Sequence, residues 1–185
     1  MSTATDKLRL AKAASAALGQ ANTLKKNEAL HAISRLLPIR ADQIIAANQK
    51  DLERGQAEGL SAGLQDRLRL DETRIAALAA AVNQIANLPD PVGQVVRGST
   101  LPNGLVISQN RVPFGVVGAI YEARPNVTID IAALAIKAGN AVALRGGTAA
   151  EHTNMVLVAV LQEALASVGL PADAVQTVDD FGRQG

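Results

Sequence analysis

The chain has 185 residues, of which 48% are hydrophobic, and a formal net charge of +1, which suits one large domain or two small ones with a sizeable core. Aromatic residues make up only 2% and no Lys/Arg block stands out, so composition gives no reason to expect nucleic acid or an anionic membrane as a partner. The absence of cysteine excludes disulfides, thiolate metal sites and thiol catalysis within this chain.

Three further features narrow the class of protein. His31 and His152 are far apart in sequence, so we expect no metal site. The charged N-terminus does not resemble a signal peptide, and no uncharged apolar run approaches the roughly 18 residues needed to span a bilayer. We therefore expect a soluble, cytoplasmic protein.

Residues 1–88 are rich in alanine and leucine, and their apolar side chains recur at helical steps of three and four residues. Examples are Leu8, Ala11, Ser15 and Leu18, and later Ile75, Leu78, Ala79, Val82 and Ile85. We predict a helical segment that packs on a cofactor domain, with Thr23 and Asp71 as N-caps. Gly55, Gly59 and Gly63 are predicted to form a loop, and charged residues such as Lys26 are expected on solvated faces.

Residues 89–111 are predicted to form a β-hairpin. Pro89 and Pro91 end the helical pattern. Two β-branched runs then flank Pro102, Asn103 and Gly104, which is a turn signal. The hairpin is either an arm that bridges to another subunit or a simple edge hairpin.

Residues 112–185 have the pattern of an α/β domain. The runs "FGVVGAIY", "AVALRG" and "AVQTVD" are predicted strands, and the helical patterns between them are closed by Gly139 and Gly169. The first run is continuously apolar, so we predict a strand buried on both faces. This order predicts half of a doubly wound parallel sheet, an incomplete dinucleotide-binding domain with one uncovered edge. Ligands bind such sheets at the carboxyl ends of the strands, where "YEARPN" (121–126) would lie.

The glycine fingerprint of ordinary dinucleotide binding, G-x-G-x-x-G, is absent after the first strand. The second strand ends in Arg145, which is followed by Gly146 and Gly147, and the next acidic residue is Glu151. An Arg at this position suits the 2′-phosphate of NADP, whereas a carboxylate would suit NAD. If the site binds a dinucleotide, we predict NADP(H). Alternatively, Arg145 is an exposed residue before a glycine turn.

Asn126 and Arg124 have two interpretations each. Asn126 is either the N-cap of the following helix or an amide donor aimed at a developing oxyanion. Arg124 either grips a phosphate or carboxylate or pairs with Glu122. Glu122 and Asp130 are nearby carboxylates, and nothing in their spacing requires an acid–base role.

At these residues the chain resembles a known family. "RVPFGVVGAIYEARPNVTIDIAALAIKAGNAVALRGG", "GLPADAVQTVD" and the upstream "LPDPVGQVVRGSTLPNGL" closely resemble γ-glutamyl phosphate reductase. This family, also called glutamate-5-semialdehyde dehydrogenase, belongs to the aldehyde dehydrogenase superfamily. The resemblance extends from about residue 6 to residue 180.

The resemblance implies NADPH-dependent reduction of L-glutamyl 5-phosphate to L-glutamate 5-semialdehyde and phosphate, in proline biosynthesis. It matches Asn126 with the oxyanion donor and Arg145 with a contact to the adenosine ribose, and we assign Gly146, Tyr121 and Thr148 to the cofactor site too. Arg124 is assigned to the substrate. The hairpin 92–112 would match the superfamily's oligomerisation arm, which implies a homo-oligomer, and the pathway implies a link to glutamate 5-kinase.

Members of this family are longer and hold their nucleophilic cysteine in a part that has no counterpart here. The resemblance therefore implies an amino-terminal portion that is inactive alone, because a chain without cysteine cannot form the thioester. The alternative is a non-catalytic nucleotide-binding or assembly module with the same fold.

Overall fold

The computed structural model describes residues 3–122 and 124–184. The α-helices are α1 (Ala4–Gln20), α2 (Thr23–Ile39), α3 (Ala41–Ala57), α4 (Ala62–Leu68), α5 (Glu72–Ala86), α6 (Pro125–Lys137) and α7 (Glu151–Ser167). The strands are β1 (Val95–Thr100), β2 (Val106–Asn110), β3 (Val116–Ile120), β4 (Ala141–Arg145) and β5 (Val175–Thr177).

The amino-terminal helices form as the periodicity predicts, with local differences at their ends. Asp71 is confirmed as the N-cap of α5, where its side chain accepts from the Arg74 N–H. Thr23 is not an N-cap: Asn22 takes that position, and its side-chain oxygen accepts from the Lys25 N–H. Asn is as good a cap as Thr, so the sequence pattern does not separate these neighbours.

The predicted glycine loop is only partly correct. Gly55 lies inside α3 and Gly63 inside α4, while Gly59 alone lies in the turn, with a φ of 78° that favours glycine. Gly55 is buried, and a Cβ there would lie 3.3 Å from a methyl of Leu60. This glycine therefore permits close packing inside a helix and does not break it.

One hydrophobic core joins the helices to the sheet, with members from α1, α2, α3, α5, α6, α7, β4 and β5. Lys26 is wrongly predicted as solvated: it is 1% exposed, and its Nζ lies 2.6 Å from Asp90 Oδ2. Burial alone would raise the pKa of Asp90, but hydrogen bonds from Lys26, the Thr23 hydroxyl and the Val92 N–H outweigh it and lower the pKa. This buried pair fastens α2 to the segment that leads into the hairpin.

The hairpin is confirmed as an antiparallel pair, β1 with β2, that forms its own two-stranded sheet. Gly104 has the positive φ that the turn requires. Both faces of both strands are exposed. The apolar Val106 at the start of β2 is 73% exposed, and Leu105 just before it is 57% exposed. Within the described ranges no helix is long and apolar enough to cross a membrane.

The second sheet is parallel with the order β3–β4–β5, as the sequence predicts. Its central strand β4 and the short β5 are buried. The prediction that the first strand is buried on both faces is wrong, because β3 is an edge strand of intermediate to high exposure and Ile120 is 83% exposed. A continuous apolar run does not distinguish a central strand from an edge strand with a face left open.

Candidate functional site

The carboxyl ends of β3 and β4 meet at one edge of the parallel sheet and border a cleft of about 530 Å³. Ile120 is in register with Arg145, and the Tyr121 N–H donates to the Arg145 carbonyl at 3.0 Å. The cleft is lined by Ile120, Tyr121, Glu122, Arg145, Gly146, Gly147, Thr148 and Asp179. The structure thus brings together Tyr121, Arg145, Gly146 and Thr148, the residues that the sequence assigns to the cofactor.

Position 146 requires a glycine because the side chains of Asn154 and Asp179 approach its backbone closely. A Cβ built on it would collide with the Nδ2 of Asn154 and would lie 3.2 Å from Asp179 Oδ2. Its N–H donates to Asp179 Oδ1 at 2.6 Å. The backbone after β4 is therefore held against α7 and β5, which leaves the open side of the turn to the cleft.

A chain of buried hydrogen bonds runs beneath the cleft from Asp179 to Tyr121. Asn154 Nδ2 donates to Asp179 Oδ2 at 3.1 Å, so its Oδ1 faces the Thr128 Oγ1, which donates to it at 2.8 Å. The hydroxyl of Thr128 has one proton, and the 2.6 Å contact with Tyr121 Oη is therefore a bond that Tyr121 donates. With its proton directed inward, the Tyr121 oxygen has only acceptor capacity left for a ligand in the cleft.

Tyr121 and Asp179 are the two titratable ends of this series of hydrogen bonds, and their surroundings shift the pKa of each. Burial raises the pKa of Tyr121 to about 12, and the nearby Asp179 adds to the shift although the bond with Thr128 opposes it. Burial also raises the pKa of Asp179, while hydrogen bonds from Gly146, Asn154 and Thr177 oppose that rise. Tyr121 is thus neutral under ordinary conditions and is a fixed hydrogen-bonding group.

Sequence reasoning missed Asp179, Asn154 and Thr128. The prediction of NADP(H) relied on the next acidic residue along the chain being Glu151, but the fold brings Asp179 to the Gly146 N–H from the end of β5. Both oxygens of Asp179 are engaged by internal donors. Its position after a predicted strand was the one available signal, since parallel strands end at the same edge.

The turn that follows Gly146 is held in place by α3. Asp51, whose side chain is fully buried, accepts from the N–H and the hydroxyl of Thr153 at 2.8 and 2.6 Å. It also accepts from the His152 N–H and from Arg54, and Arg54 donates to the Thr148 carbonyl. A buried carboxylate at the first turn of α7 is favourable for the free N–H groups and the helix dipole there.

Asn126 lies away from this cleft, in a second one. It is the second residue of α6 and not its N-cap, a position that Arg124 takes without a side-chain bond. The Asn126 Nδ2 donates to Asp130 Oδ2 one turn later, at 3.4 Å. The N-cap interpretation is therefore wrong, and the amide keeps a second N–H for another acceptor.

The second cleft, about 350 Å³ in volume, lies between the α4–α5 region and α6. Asn126 and Asp130 form one side of it. The other lining residues are Arg67, Arg69, Leu70, Arg74, Ala77, Leu78 and Ala81. We call it the Asp130 cleft.

Arg124 lines neither cleft. It is exposed and, within the described ranges, forms no ion pair with Glu122, so the pairing interpretation is wrong. Across residues 3–122 and 124–184, no three His, Cys, Asp or Glu side chains are grouped so that they could hold a metal ion.

The fold matches that of a known class of enzyme. The model of the aldehyde dehydrogenase family matches residues 2–184, and the chain belongs to that family. Its fold recurs in a probable aldehyde dehydrogenase from Listeria monocytogenes, with a TM-score of 0.71 at 16% identity over 95% of this chain and 36% of that one.

Within the family, the chain is similar to proteins named γ-glutamyl phosphate reductase. The Leifsonia xyli protein of that name is 63% identical over 98% of this chain and 43% of its own length. The Thermotoga maritima reductase structure gives a TM-score of 0.94 at 36% identity, over 97% of this chain and 44% of that chain. The Saccharomyces cerevisiae reductase structure gives a TM-score of 0.89 at 30% identity, over 97% of this chain and 47% of that chain. The resemblance noted in the sequence is confirmed, and the chain spans less than half the length of these relatives.

Proposed function

We propose that this chain is the cofactor-binding part of an enzyme that reduces L-glutamyl 5-phosphate with NADPH, giving L-glutamate 5-semialdehyde and phosphate in proline biosynthesis. The similarity to the Leifsonia reductase over nearly the whole chain carries the proposal. Membership of the aldehyde dehydrogenase family supports oxidoreductase activity with a nicotinamide cofactor. The choice of NADP(H) and of this substrate is our inference.

The residues of the larger cleft fit a dinucleotide. Gly146 and Gly147 let a ligand approach the backbone, and the inward-directed proton of Tyr121 leaves an acceptor for a ligand hydroxyl or amide. Asp179 has both oxygens engaged, so it does not offer the free carboxylate that favours NAD. Arg145 would lie beside the 2′-phosphate, and bound NADPH would supply the hydride.

Asn126 would polarise the reacting carbonyl. Asn126 lines the Asp130 cleft, and the second N–H of its amide would donate to the oxygen that becomes negative during reaction. Arg124, exposed at the start of α6, would bind the leaving phosphate. The thioester requires a cysteine that this chain does not contain, so the covalent step needs a residue from elsewhere.

The activity is tested in the protein expressed from the complete gene that encodes this chain. We expect NADPH formation from NADP⁺ to require both L-glutamate 5-semialdehyde and phosphate. Asn126→Ala should lower kcat by about 10²- to 10³-fold with little change in KM, and Asn126→Asp, similar in size but without an amide donor, should lower it as far. Activity that ignores phosphate would refute the reaction, and an unchanged kcat would refute the role of Asn126.

The hairpin favours an additional assembly role. The hairpin exposes Val106, Leu105 and Ile107, and its strands bury neither face, although an isolated two-stranded hairpin is marginally stable. We propose that it joins subunits of a homo-oligomer, and Val106→Glu should lower the mass measured by light scattering. An unchanged oligomeric mass would count against this role.

The division at residues 88 and 111, the link to glutamate 5-kinase and the cytoplasmic location stay predictions.

A further inference from the structure

The Asp130 cleft has charges of both signs that do not neutralise one another. Asp130 is half-buried, and the hydrogen bond that its carboxylate accepts from the described residues is the long one from Asn126. Burial raises the pKa of Asp130, and the bond from Asn126 only partly opposes that rise. Among the described residues no Lys or Arg forms an ion pair with it, although arginines line the same cleft.

The arginines opposite Asp130 differ in whether their guanidinium groups have hydrogen-bond partners. Arg74 is engaged: it donates to Asp66 Oδ1 at 2.7 Å and to the carbonyl of Arg69 at 3.0 Å. The guanidinium groups of Arg67 and Arg69 have no partner among the described residues. Two guanidinium groups without a partner in the described part of the chain and one weakly bonded carboxylate therefore line a cleft that also has apolar residues such as Leu70 and Leu78 in its walls.

We propose that the Asp130 cleft binds the α-amino-acid end of the substrate, with Asp130 accepting from the α-ammonium group and Arg67 and Arg69 gripping the α-carboxylate. This inference rests on the proposed function for the identity of the substrate. A zwitterion with a short methylene chain complements such a cleft, since an ammonium needs an acceptor, a carboxylate suits a guanidinium fork, and methylenes suit apolar walls.

The spacing of Asn126 and Asp130 fits one extended glutamyl chain. The two residues are one helical turn apart on the same face of α6, and a turn rises about 5.4 Å. In the substrate, the carbonyl oxygen and the α-nitrogen are separated by three carbon–carbon bonds of about 1.5 Å plus one bond at each end. A carbonyl at the free Asn126 N–H therefore leaves the ammonium within reach of Asp130.

Two other roles for these residues lead to different measurements. If Asp130 only orients Asn126, its loss would affect every substrate that reacts at the same carbonyl. If Arg67 and Arg69 bind the phosphate and not the α-carboxylate, their loss would raise the KM of phosphate.

The test compares L-glutamate 5-semialdehyde with its N-acetyl derivative, which lacks the ammonium, in the protein from the complete gene. We expect Asp130→Asn to lower kcat/KM for the free amine by about tenfold or more, as for a lost charged hydrogen bond, and to leave the N-acetyl substrate unchanged. The double variant Arg67→Gln/Arg69→Gln should raise the KM of the semialdehyde to a similar extent without changing the KM of phosphate.

Equal losses on both substrates in Asp130→Asn, or a rise in the KM of phosphate in the double variant, would overturn the inference while leaving the reaction intact. If the wild-type protein is inactive, calorimetric binding of L-glutamate tests the amino-acid site separately from the proposed reaction. Binding that Asp130→Asn weakens would support the amino-acid site although the proposed reaction fails, and binding that the substitution leaves unchanged would overturn the site as well.

Discussion

Replacing Thr128 by valine removes the middle of the hydrogen-bond chain beneath the larger cleft and keeps the shape of the side chain. Thr128 is fully buried and joins Tyr121 to Asn154. Valine leaves the Asn154 Oδ1 without a donor, and because Asn154 is 1% exposed, water does not replace it. An unsatisfied buried acceptor costs about 1–3 kcal/mol, and the lost bond from Tyr121 adds about 1 kcal/mol.

We therefore expect Thr128→Val to lower the free energy of unfolding by about 3 kcal/mol, which in a chain of this size lowers Tm by on the order of 10 °C. Thr128→Ser is the matched control, because it keeps the hydroxyl and loses one methyl, at about 1 kcal/mol. Urea denaturation followed by circular dichroism measures both. If the valine variant is as stable as the serine variant, apolar packing at this position outweighs the hydrogen bonds and the reasoning is refuted.

Three further substitutions test other parts of the structure. Asp51→Asn should destabilise the chain by about 3 kcal/mol in a urea titration, because an amide donor then replaces an acceptor among buried donors. The control Asp42→Asn, at an exposed position, should cost under about 1 kcal/mol. Equal effects of the two substitutions would refute the role of Asp51. The pKa of Asp90 is lowered in the folded state, so its pairing stabilises the protein above the unfolded pKa of about 3.9 and is lost as pH falls through the folded value. Unfolding measured between pH 7 and pH 3 should therefore show the gap between wild type and Asp90→Asn narrowing, and a constant gap would contradict this. Gly146→Ala should lower both Tm and NADPH affinity because there is no room for its Cβ. The control Gly63→Ala has open space around it and should raise Tm slightly. If Gly146→Ala left Tm and NADPH affinity unchanged, the close approach at Gly146 would not require glycine.

The sequence predicts those parts of the fold that depend on local pattern. Helical periodicity, the Asp71 cap and the Pro102–Gly104 turn are all local signals, and the structure confirms them. The sequence does not predict the exposure of Ile120, because an apolar strand has the same sequence pattern at the edge and at the centre of a sheet. Asn22 and Thr23 are equivalent candidates for a cap, and only the backbone distinguishes them.

The candidate site divides in the same way. Arg145 ends a recognisable strand and Gly146 follows it, so the sequence predicts their place at the cleft. Asp179 reaches Gly146 across 33 residues. Asn154 in α7 and Thr128 in α6 are buried polar residues whose partners only tertiary packing selects. The position of Asp130 in one cleft with Arg67 and Arg69 likewise depends on how α4 and α5 pack on α6.

The most direct test of the cofactor assignment is the pair of dissociation constants for NADPH and NADH, measured by fluorescence titration on the protein from the complete gene and on its Arg145→Glu variant. The account predicts that NADPH binds at least about tenfold more tightly, as expected for one charged contact to the 2′-phosphate, and that the variant loses this preference. Equal binding of the two cofactors by the wild type, or an unchanged preference in the variant, would contradict the assignment of the cleft to NADP(H).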